Sequence, residues 1–168
     1  TREGAQMPVD GVDVSVLGPP QDLLANGQRN ENSLVLRVTH GETSFLFTGD
    51  AEVEGESALV ENYGSELDST VFKAGHHGSR SSSRSSLLDV VQPQVAVVTS
   101  AYDSQYGHPH EETLQRFASR SIPTYWTATH GNVVLYSNGS AVSVATQRDA
   151  PTEPTSLRSG DPIEPGTY

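Results

Sequence analysis

Short runs along the chain alternate apolar and polar positions with a period of two, which is the pattern of strands that bury one face. The first run ends at a Gly-Pro-Pro breaker, and the next two flank the turn His40–Glu42, so a strand followed by a β-hairpin is predicted. Further β-rich runs predict two central strands and two or three closing strands. The predicted strands are Val12–Leu17, Ser33–Thr39, Ser44–Thr48, Ser69–Ala74, Val95–Ser100, Thr124–Thr127, Val133–Ser137 and Ala141–Thr146.

Segments with apolar residues at helical spacing lie between the predicted strands. A helix is predicted over Ala51–Tyr63, with Asp50 at its start and Gly64 at its end. Two more helices are predicted over Ser85–Val91 and Pro109–Arg120. Strand–helix–strand alternation, joined to an antiparallel hairpin, predicts an α/β layered domain with a mixed sheet.

Three stretches lack periodicity. Residues 1–10 and 21–32 are predicted to be irregular, the second as a polar loop. Residues 147–168 carry four prolines and almost no apolar residues, so they are predicted to form a linker or disordered tail after a domain of residues 1–146. Such a tail hints at a wall or surface module, which favours an extracytoplasmic or cell-surface location over a cytoplasmic one.

The composition limits which catalytic groups and metal ligands the chain can supply. Because the chain has no cysteine, thiol nucleophiles, disulfides and iron–sulfur clusters are excluded within it, and any metal must bind to His, Asp, Glu, Asn or backbone oxygen. The 21 acidic residues outnumber the 10 basic ones and give a formal net charge of -11. This excess is typical of an ordinary acidic protein or of one from a halophilic source. It argues against a broad nucleic-acid-binding face at low salt but leaves room for a local phosphate site.

No apolar run approaches the ~20 residues of a membrane-spanning helix. No membrane contact is therefore expected for this chain.

Three loops carry the residues with the most evident chemistry. One carboxylate follows a glycine at the end of a predicted strand, two adjacent histidines lie between glycines after another strand, and two more histidines stand at a helix start. Sites in open α/β sheets collect at strand ends, and imidazole with carboxylate is a common donor set for transition metals. These candidate residues are Asp50, His76, His77, His108 and His110.

Each candidate also has a purely structural interpretation. Asp50 alone is an ordinary helix N-cap, and an isolated His-His pair is commonly a surface feature. A lone histidine in a loop is equally ordinary, and His40 and His130, which stand beside glycines, are interpreted as turn residues. The combination of three such groups at the same kind of strand end favours a functional site.

Several motifs follow one another in a specific order, although any one of them is weak. They are Asn32–Leu36, Phe45–Asp50, Glu56, Val71–Ser79 with Ser82 and Ser83, and Tyr106–His110. Together they make residues 12–146 resemble the C-terminal half of the metallo-β-lactamase-fold domain of ComEC-type competence proteins and their free-standing relatives.

The resemblance implies a four-layer αββα sandwich, with two divalent metal ions, Zn or Mn, between its sheets. It implies that Asp50 bridges the two ions and that His76 or His77, which the sequence does not distinguish, closes the second site. His108 is implied to lie beside the substrate phosphate, as a hydrogen-bond donor or a proton carrier. The other residues expected to contact the substrate phosphate are Ser79, Arg80, Arg84, His110, Asn32 and Ser33.

The chain also departs from the family pattern. The first metal motif of the family, His-x-His-x-Asp-His, does not occur in the sequence, and Asn32 and Ser33 stand near the place of a third-motif histidine. The chain then holds about two of the usual ligands, either as a piece of a larger protein or as a half-domain without a competent site. Half of such a sandwich would expose core, which favours the N-terminal half of the same fold as a partner. The fragment alone is expected to be inactive.

For the complete enzyme the resemblance implies a phosphodiesterase or nuclease that acts on DNA through metal-activated water. One alternative is a hydrolase of the same fold that acts on another ester, such as a phosphocholine ester or a lactone. The other is a non-catalytic binding module that has lost its metals. This last alternative predicts that Asp50 and the histidine pair are hydrogen-bonded to protein groups.

Overall fold

A mixed seven-stranded sheet organises the protein, for which a computed structural model describes residues 3–24 and 29–163. The strands lie in the sheet in the order in which they follow one another along the chain. The first four pair antiparallel, and the last four, from the fourth to the seventh, pair parallel. These strands are β1 (Gln6–Val9), β2 (Val12–Gly18), β3 (Val35–His40), β4 (Thr43–Phe47), β5 (Val71–Lys73), β6 (Val95–Val98) and β7 (Thr124–Trp126).

The remaining elements are helices in the connections and a separate two-stranded sheet. The helices are α1 (Val53–Tyr63), α2 (Ser85–Val91), α3 (Glu111–Ala118) and the single-turn α4 (Thr127–His130). The two-stranded sheet pairs β8 (Val133–Ser137) with β9 (Val142–Thr146). The prediction of an α/β domain with a mixed sheet is confirmed. Across the described ranges, no helix combines the length and the apolar character needed to span a bilayer.

The core lies between one face of the sheet and α1, α2 and α3. Leu46, Phe72 and Ala96 are paired across β4, β5 and β6, so their side chains share a face, and all three are fully buried. Against them pack apolar residues of the helices, including Leu88 and Phe117, within one continuous cluster. The parallel strands are therefore held rigidly, and their C-terminal ends form a fixed edge for the loops that follow.

The structure differs from the sequence interpretation at the N-terminal end. Residues 6–9 form β1, which pairs with β2 in register from Gln6 opposite Ser15 to Val9 opposite Val12. This edge strand has no periodic signal of its own, because its conformation depends on the neighbouring strand. Part of the predicted loop 21–32 falls outside the described residues, and Asn30–Asn32 form a single 3₁₀ turn.

Two smaller interpretations are corrected. Asp50 is not the helix N-cap, because α1 begins after Glu52 and its free N–H groups are capped from elsewhere in the chain. The Glu31 carboxylate accepts hydrogen bonds from Gly55 N at 2.6 Å and from Glu52 N at 3.3 Å. The interpretation of His130 as a turn residue is incomplete. It ends the single-turn α4 beside Gly131, but it is buried, and its Nδ1 accepts a hydrogen bond from Trp126 N at 3.1 Å.

Residues 147–168 were expected to form a linker or disordered tail, but residues 152–163 pack against the domain. Pro154–Ser159 form a 3₁₀ helix, and Leu157 within it is completely buried in the core cluster. Backbone hydrogen bonds join the segment to the domain at Thr124 N to Thr152 O (2.8 Å) and at Ile163 N to Ala128 O (2.8 Å). A single buried leucine among prolines produces no periodic signal, so composition alone was misleading here. Residues 164–168 lie outside the described part.

Replacing Leu157 with alanine should lower the free energy of unfolding by about 2–5 kcal/mol, because it empties a fully buried site. Leu23→Ala, the same change at a side chain that is 64% exposed, should cost less than about 0.5 kcal/mol. Urea unfolding measures both. Equal effects of the two substitutions would show that the C-terminal segment does not pack as described.

Candidate metal and phosphate site

The candidate residues lie at the C-terminal ends of the parallel strands β4, β5 and β6. The connection after β4 carries Asp50, the connection after β5 carries the two adjacent histidines, and the connection after β6 leads to the segment Tyr106–His110. Because the three strands are parallel neighbours, these connections emerge at one edge of the sheet. The three loops that carry the candidate residues therefore lie at the same edge of the sheet.

Asp50 is projected from a tight turn. Gly49 has a φ of +57°, and a Cβ added to it would lie 3.0 Å from Ser33 Cβ, so only glycine fits this backbone without strain. The turn is held from the other side, because Asp50 N donates to Ser33 Oγ at 3.1 Å. The Asp50 side chain itself is 42% exposed. Its carboxylate is thus presented at the surface by a fixed backbone.

His77 faces this carboxylate. Its Nδ1 lies 2.7 Å from the Thr99 carbonyl oxygen, which can only accept, so Nδ1 carries the proton. In the neutral imidazole this leaves the lone pair on Nε2, which lies 3.7 Å from Asp50 Oδ1. A backbone carbonyl that fixes the tautomer in this way is the usual support of a metal-ligating histidine.

His76 contacts a different carboxylate from His77. Its Nδ1 lies 3.0 Å from Glu52 Oε1, and the same oxygen accepts a hydrogen bond from Asn30 Nδ2 at 3.0 Å. The rings of His76 and His77 are 6.3 Å apart and inclined by 63°. Of the two adjacent histidines, His77 therefore presents its free nitrogen to Asp50, whereas His76 pairs with Glu52.

The backbone that carries both histidines is strained. His76 and His77 have φ values of +44° and +57°, in the left-handed region that side chains with a Cβ rarely adopt. Such conformations cost roughly 1–3 kcal/mol each and persist only where the surroundings impose them, which is frequent at functional sites. Part of the restraint is visible, since His76 N donates to Gly49 O at 3.0 Å and ties this turn to the Asp50 turn.

His108 lies at the centre of a group of aromatic rings. Its ring centroid is 5.5 Å from that of His76, 6.4 Å from His77 in a nearly parallel arrangement, 4.8 Å from His110 and 5.8 Å from Tyr106. Burial, followed by the neighbouring histidines, lowers the pKa of His108 to about 4. At neutral pH His108 is therefore an uncharged imidazole, which can donate a hydrogen bond through its N–H.

The residues predicted to contact a phosphate divide into two groups. His110 Nδ1 accepts a hydrogen bond from Arg80 N at 3.0 Å, and the exposed Arg80 guanidinium lies 3.2 Å from Glu112 Oε1. Ser79 is buried, and its Oγ lies 2.9 Å from Ser81 Oγ. Burial and the Arg80 charge lower the pKa of His110, so it too is uncharged at neutral pH. These residues adjoin the His108 ring group.

Asn32 and Ser33 lie on the other side of Asp50. Ser33 contacts the Asp50 turn through its Oγ, which accepts the hydrogen bond from Asp50 N. The Asn32 side chain instead exchanges hydrogen bonds with the backbone of Leu24, at 2.9 Å for Leu24 N to Oδ1 and 3.3 Å for Nδ2 to Leu24 O. The role of Asn32 at a phosphate stays a prediction.

Glu56, a member of the ordered motifs, has a structural role that the sequence did not indicate. Its fully buried carboxylate accepts hydrogen bonds from Ser83 N at 2.5 Å and Arg84 N at 2.9 Å. It thereby fixes the serine-rich loop next to the histidine turn. A glutamate on the buried face of a helix would have indicated this role. The sequence could not show it, because the burial of Glu56 is known only from the tertiary structure.

The donor chemistry of Asp50 and His77 fits a divalent metal ion. An anionic oxygen and a neutral imidazole nitrogen are suitable first ligands for Zn²⁺ or Mn²⁺. Their 3.7 Å separation is longer than a hydrogen bond and short enough for both atoms to reach one ion at the usual ~2.0–2.2 Å. Within the ranges that the structure describes, however, no group of three or more His, Asp or Glu side chains has metal-binding geometry.

Comparison with known proteins identifies the class. The family model of the metallo-beta-lactamase superfamily matches residues 8–100, and the chain belongs to this superfamily, whose members are generally hydrolases and usually bind divalent metal ions. The match includes Asp50 and the histidine pair and ends before His108.

Curated relatives narrow the resemblance. The chain is 40% identical over 122 residues to Competence protein ComA of Neisseria gonorrhoeae, covering 73% of this chain and 17% of the relative. It is 31% identical over 132 residues to ComE operon protein 3 of Bacillus subtilis (strain 168), with 79% and 17% covered, and 35% identical over 104 residues to Recombination protein 2 of Haemophilus influenzae, with 62% and 13% covered. The resemblance to ComEC-type proteins is confirmed, and the chain spans less than a fifth of the length of these relatives.

Proposed function

We propose that this chain forms part of a metal-dependent phosphodiesterase that acts on DNA. The observation that carries the proposal is the pair of Asp50 Oδ1 and His77 Nε2, which face each other at 3.7 Å while Thr99 fixes the histidine tautomer. Two hydrogen-bond acceptors this close repel each other unless a proton, a water molecule or a cation lies between them. Membership of a superfamily that usually binds divalent metals supports the cation.

In this proposal Asp50 and His77 hold the ion, with Zn or Mn as the expected metals. A divalent ion bound there supplies Lewis acidity, which activates water for attack on phosphorus and offsets the charge of the phosphate oxygens. Two ligands are fewer than the four of a zinc site, so we propose that the N-terminal half of the same fold supplies the remaining ones. His76, paired with Glu52, supports the turn that carries His77.

His108 and its neighbours are proposed to bind the substrate phosphate. An uncharged His108 is suited to donate a hydrogen bond to a phosphate oxygen and less suited to act as a charged acid. Arg80 offers a planar, exposed guanidinium beside this group, and its pairing with Glu112 at the surface is weak enough to be exchanged for a phosphate. Ser79 and His110 fix the backbone around Arg80.

DNA is proposed as the substrate because of the relatives. Their names associate them with competence and recombination, processes in which DNA is handled. The acidic chain, with a net charge of -11, would bind DNA poorly outside the local arginine and histidine group, which fits a site that acts on the backbone without a wide binding face. Another ester with the same charged phosphate would use the same residues, so only a comparison of substrates distinguishes DNA from such an ester.

A non-catalytic module is the second candidate, and the geometry of His76 favours it in part. That alternative predicts histidines that contact protein groups, and His76 Nδ1 lies 3.0 Å from Glu52 Oε1. His77 follows it at one nitrogen, because Nδ1 is bonded to Thr99 O at 2.7 Å. Its Nε2 and the Asp50 carboxylate do not, because their separation of 3.7 Å exceeds hydrogen-bond length. The two candidates therefore differ most clearly at His77 Nε2 and the Asp50 carboxylate.

The test compares His77→Ala with His76→Ala in the full-length protein, N-terminal half included. We expect bound Zn or Mn, measured by elemental analysis, to fall markedly for His77→Ala and little for His76→Ala. Hydrolysis of a DNA oligonucleotide should fall roughly 10²–10³-fold for His77→Ala and about 10-fold for His76→Ala. Bis(4-nitrophenyl) phosphate and a phosphocholine ester, assayed in parallel, distinguish DNA from other esters. A wild-type protein without bound transition metal would refute the catalytic proposal.

A further inference from the structure

The C-terminal segment reaches the candidate site through one side chain. Arg158 Nη2 donates hydrogen bonds to the carbonyl oxygens of Gly107 at 3.0 Å and Pro109 at 3.1 Å. These two residues flank His108 in the chain, so a single guanidinium nitrogen joins the backbone on both sides of the histidine. The segment that composition suggested to be a tail thus contacts the loop on which His108 stands.

The guanidinium is itself held in place. Its central carbon lies 5.3 Å from the centroid of the Trp126 ring, a cation–π arrangement, and Trp126 is fully buried with its Nε1 donating to Ser100 Oγ at 2.8 Å. The Tyr102 ring stacks on Trp126 at 5.3 Å, and its hydroxyl donates to Arg158 O at 2.8 Å. Both the side chain and the backbone of Arg158 are therefore fixed to rigid parts of the domain.

Among the described residues, other hydrogen bonds also hold the loop that Arg158 contacts. Within the loop, Gly107 N donates to Ser104 O at 2.8 Å and Tyr106 N donates to Ser104 Oγ at 3.3 Å. At its end, His110 N donates to Gly78 O at 2.9 Å, and His110 Nδ1 accepts from Arg80 N at 3.0 Å. The His108 imidazole is surrounded by other rings, which orient it only as long as its backbone stays in position. A displacement of the loop would move His108 relative to Asp50 and His77.

We propose that Arg158 is a positioning residue, which holds His108 at the site by bridging the carbonyl groups of Gly107 and Pro109. The expected effect on catalysis rests on the proposed function. The role of Arg158 in holding the loop rests only on its hydrogen bonds to Gly107 and Pro109. Lysine would keep the charge and one or both hydrogen bonds, but it would lose the planar packing on Trp126. Because Arg158 is exposed as a whole, truncating it opens no cavity in the core.

The experiment compares Arg158→Ala and Arg158→Lys with Arg148→Ala in the full-length protein. Arg148 is the matched control, because it is also exposed and donates to a backbone carbonyl of the same segment, Pro162 O at 3.2 Å, away from the His108 loop. Arg158→Ala should lower kcat for phosphodiester hydrolysis roughly 10- to 100-fold with KM changed less than about threefold. Arg158→Lys should recover part of this loss, and Arg148→Ala should stay near the wild type.

A second readout is independent of activity. Hydrogen exchange should become roughly tenfold faster at the amides of Gly107 and His110 in Arg158→Ala, with metal content and Tm close to those of the wild type. Unchanged exchange, or equal loss of kcat in Arg148→Ala, would overturn the proposal. A loss of bound metal that accounts for the fall in kcat would also overturn it. If the wild-type protein hydrolyses no phosphodiester, the proposed function fails, and exchange alone then decides whether Arg158 holds the loop.

Discussion

Asp50→Asn should abolish metal binding at the candidate site and lower phosphodiester hydrolysis by roughly 10³-fold or more, equivalent to about 4 kcal/mol of transition-state stabilisation. The amide keeps the size of the side chain and leaves the bond from the backbone nitrogen to Ser33 Oγ in place. It replaces an anionic ligand with a neutral one opposite His77 Nε2, at the point where the two side chains are closest. The effect should therefore be chemical, with little change in fold.

Two measurements distinguish a loss of metal binding from a change in the fold. Elemental analysis and a thermal shift with added Zn²⁺ report metal binding, since a ligand present at 100 times its Kd stabilises the folded state by about 2.7 kcal/mol. Asp13→Asn, the same charge change at an exposed residue of β2, is the control and should behave as the wild type. The proposal is contradicted if Asp50→Asn retains both the zinc-induced shift and the activity, because then Asp50 is not a ligand.

Glu56→Ala is expected to lower the free energy of unfolding by roughly 3 kcal/mol near pH 5, an effect as large as that of Leu157→Ala. The substitution removes the partners of two backbone N–H groups, those of Ser83 and Arg84, and leaves a void at a fully buried position. Glu61→Ala, an exposed position on the same helix α1, should cost less than about 0.5 kcal/mol. Urea unfolding of both variants measures the difference.

The Glu56 effect should depend on pH with a defined sign. Burial raises the pKa of Glu56 to about 7, against the opposing hydrogen bonds from Arg84 and Ser83 and the charge of Arg116. The folded protein therefore retains this proton at pH values where the unfolded chain, with its ordinary carboxyl pKa of 4.5, has released it. The stability associated with the protonated form is complete below pH 4.5 and is lost as the pH rises through 7.

The cost of Glu56→Ala relative to the wild type should accordingly shrink by roughly 2–3 kcal/mol between pH 5 and pH 8. Unfolding free energies of both proteins, measured at half-unit intervals of pH, test this. A cost that grows with pH would mean that the two N–H bonds and the nearby arginines outweigh burial. Glu56 would then be ionised in the folded protein at all of these pH values.

Local patterns were sufficient for elements whose signal lies within their own residues. Helix α2 spans the predicted Ser85–Val91, and the hairpin of β3 and β4 lies within one or two residues of its prediction. Alternation, a glycine turn and helical spacing are properties of consecutive residues, so they can be read from the chain alone. The ordered motifs added the family, which the match to residues 8–100 confirms.

Elements that depend on distant partners were missed. Strand β1 exists because β2 offers it hydrogen-bonding groups, and the segment Pro154–Ser159 is ordered because Leu157 enters a core built by residues far earlier in the chain. The N-cap of α1 likewise comes from Glu31, outside the helix and its flanking residues. None of these interactions has a periodic or local signal.

The candidate site shows the same division. The residue types and their positions after strands were enough to single out Asp50 and the adjacent histidines, because glycines and strand ends are visible in the sequence. The sequence could not distinguish His76 from His77. That distinction depends on the carbonyl oxygen of Thr99 and the carboxylate of Glu52, which folding brings near the two rings. Which nitrogen of an imidazole carries its proton is set by the hydrogen bond it makes, and that bond exists only in the folded protein.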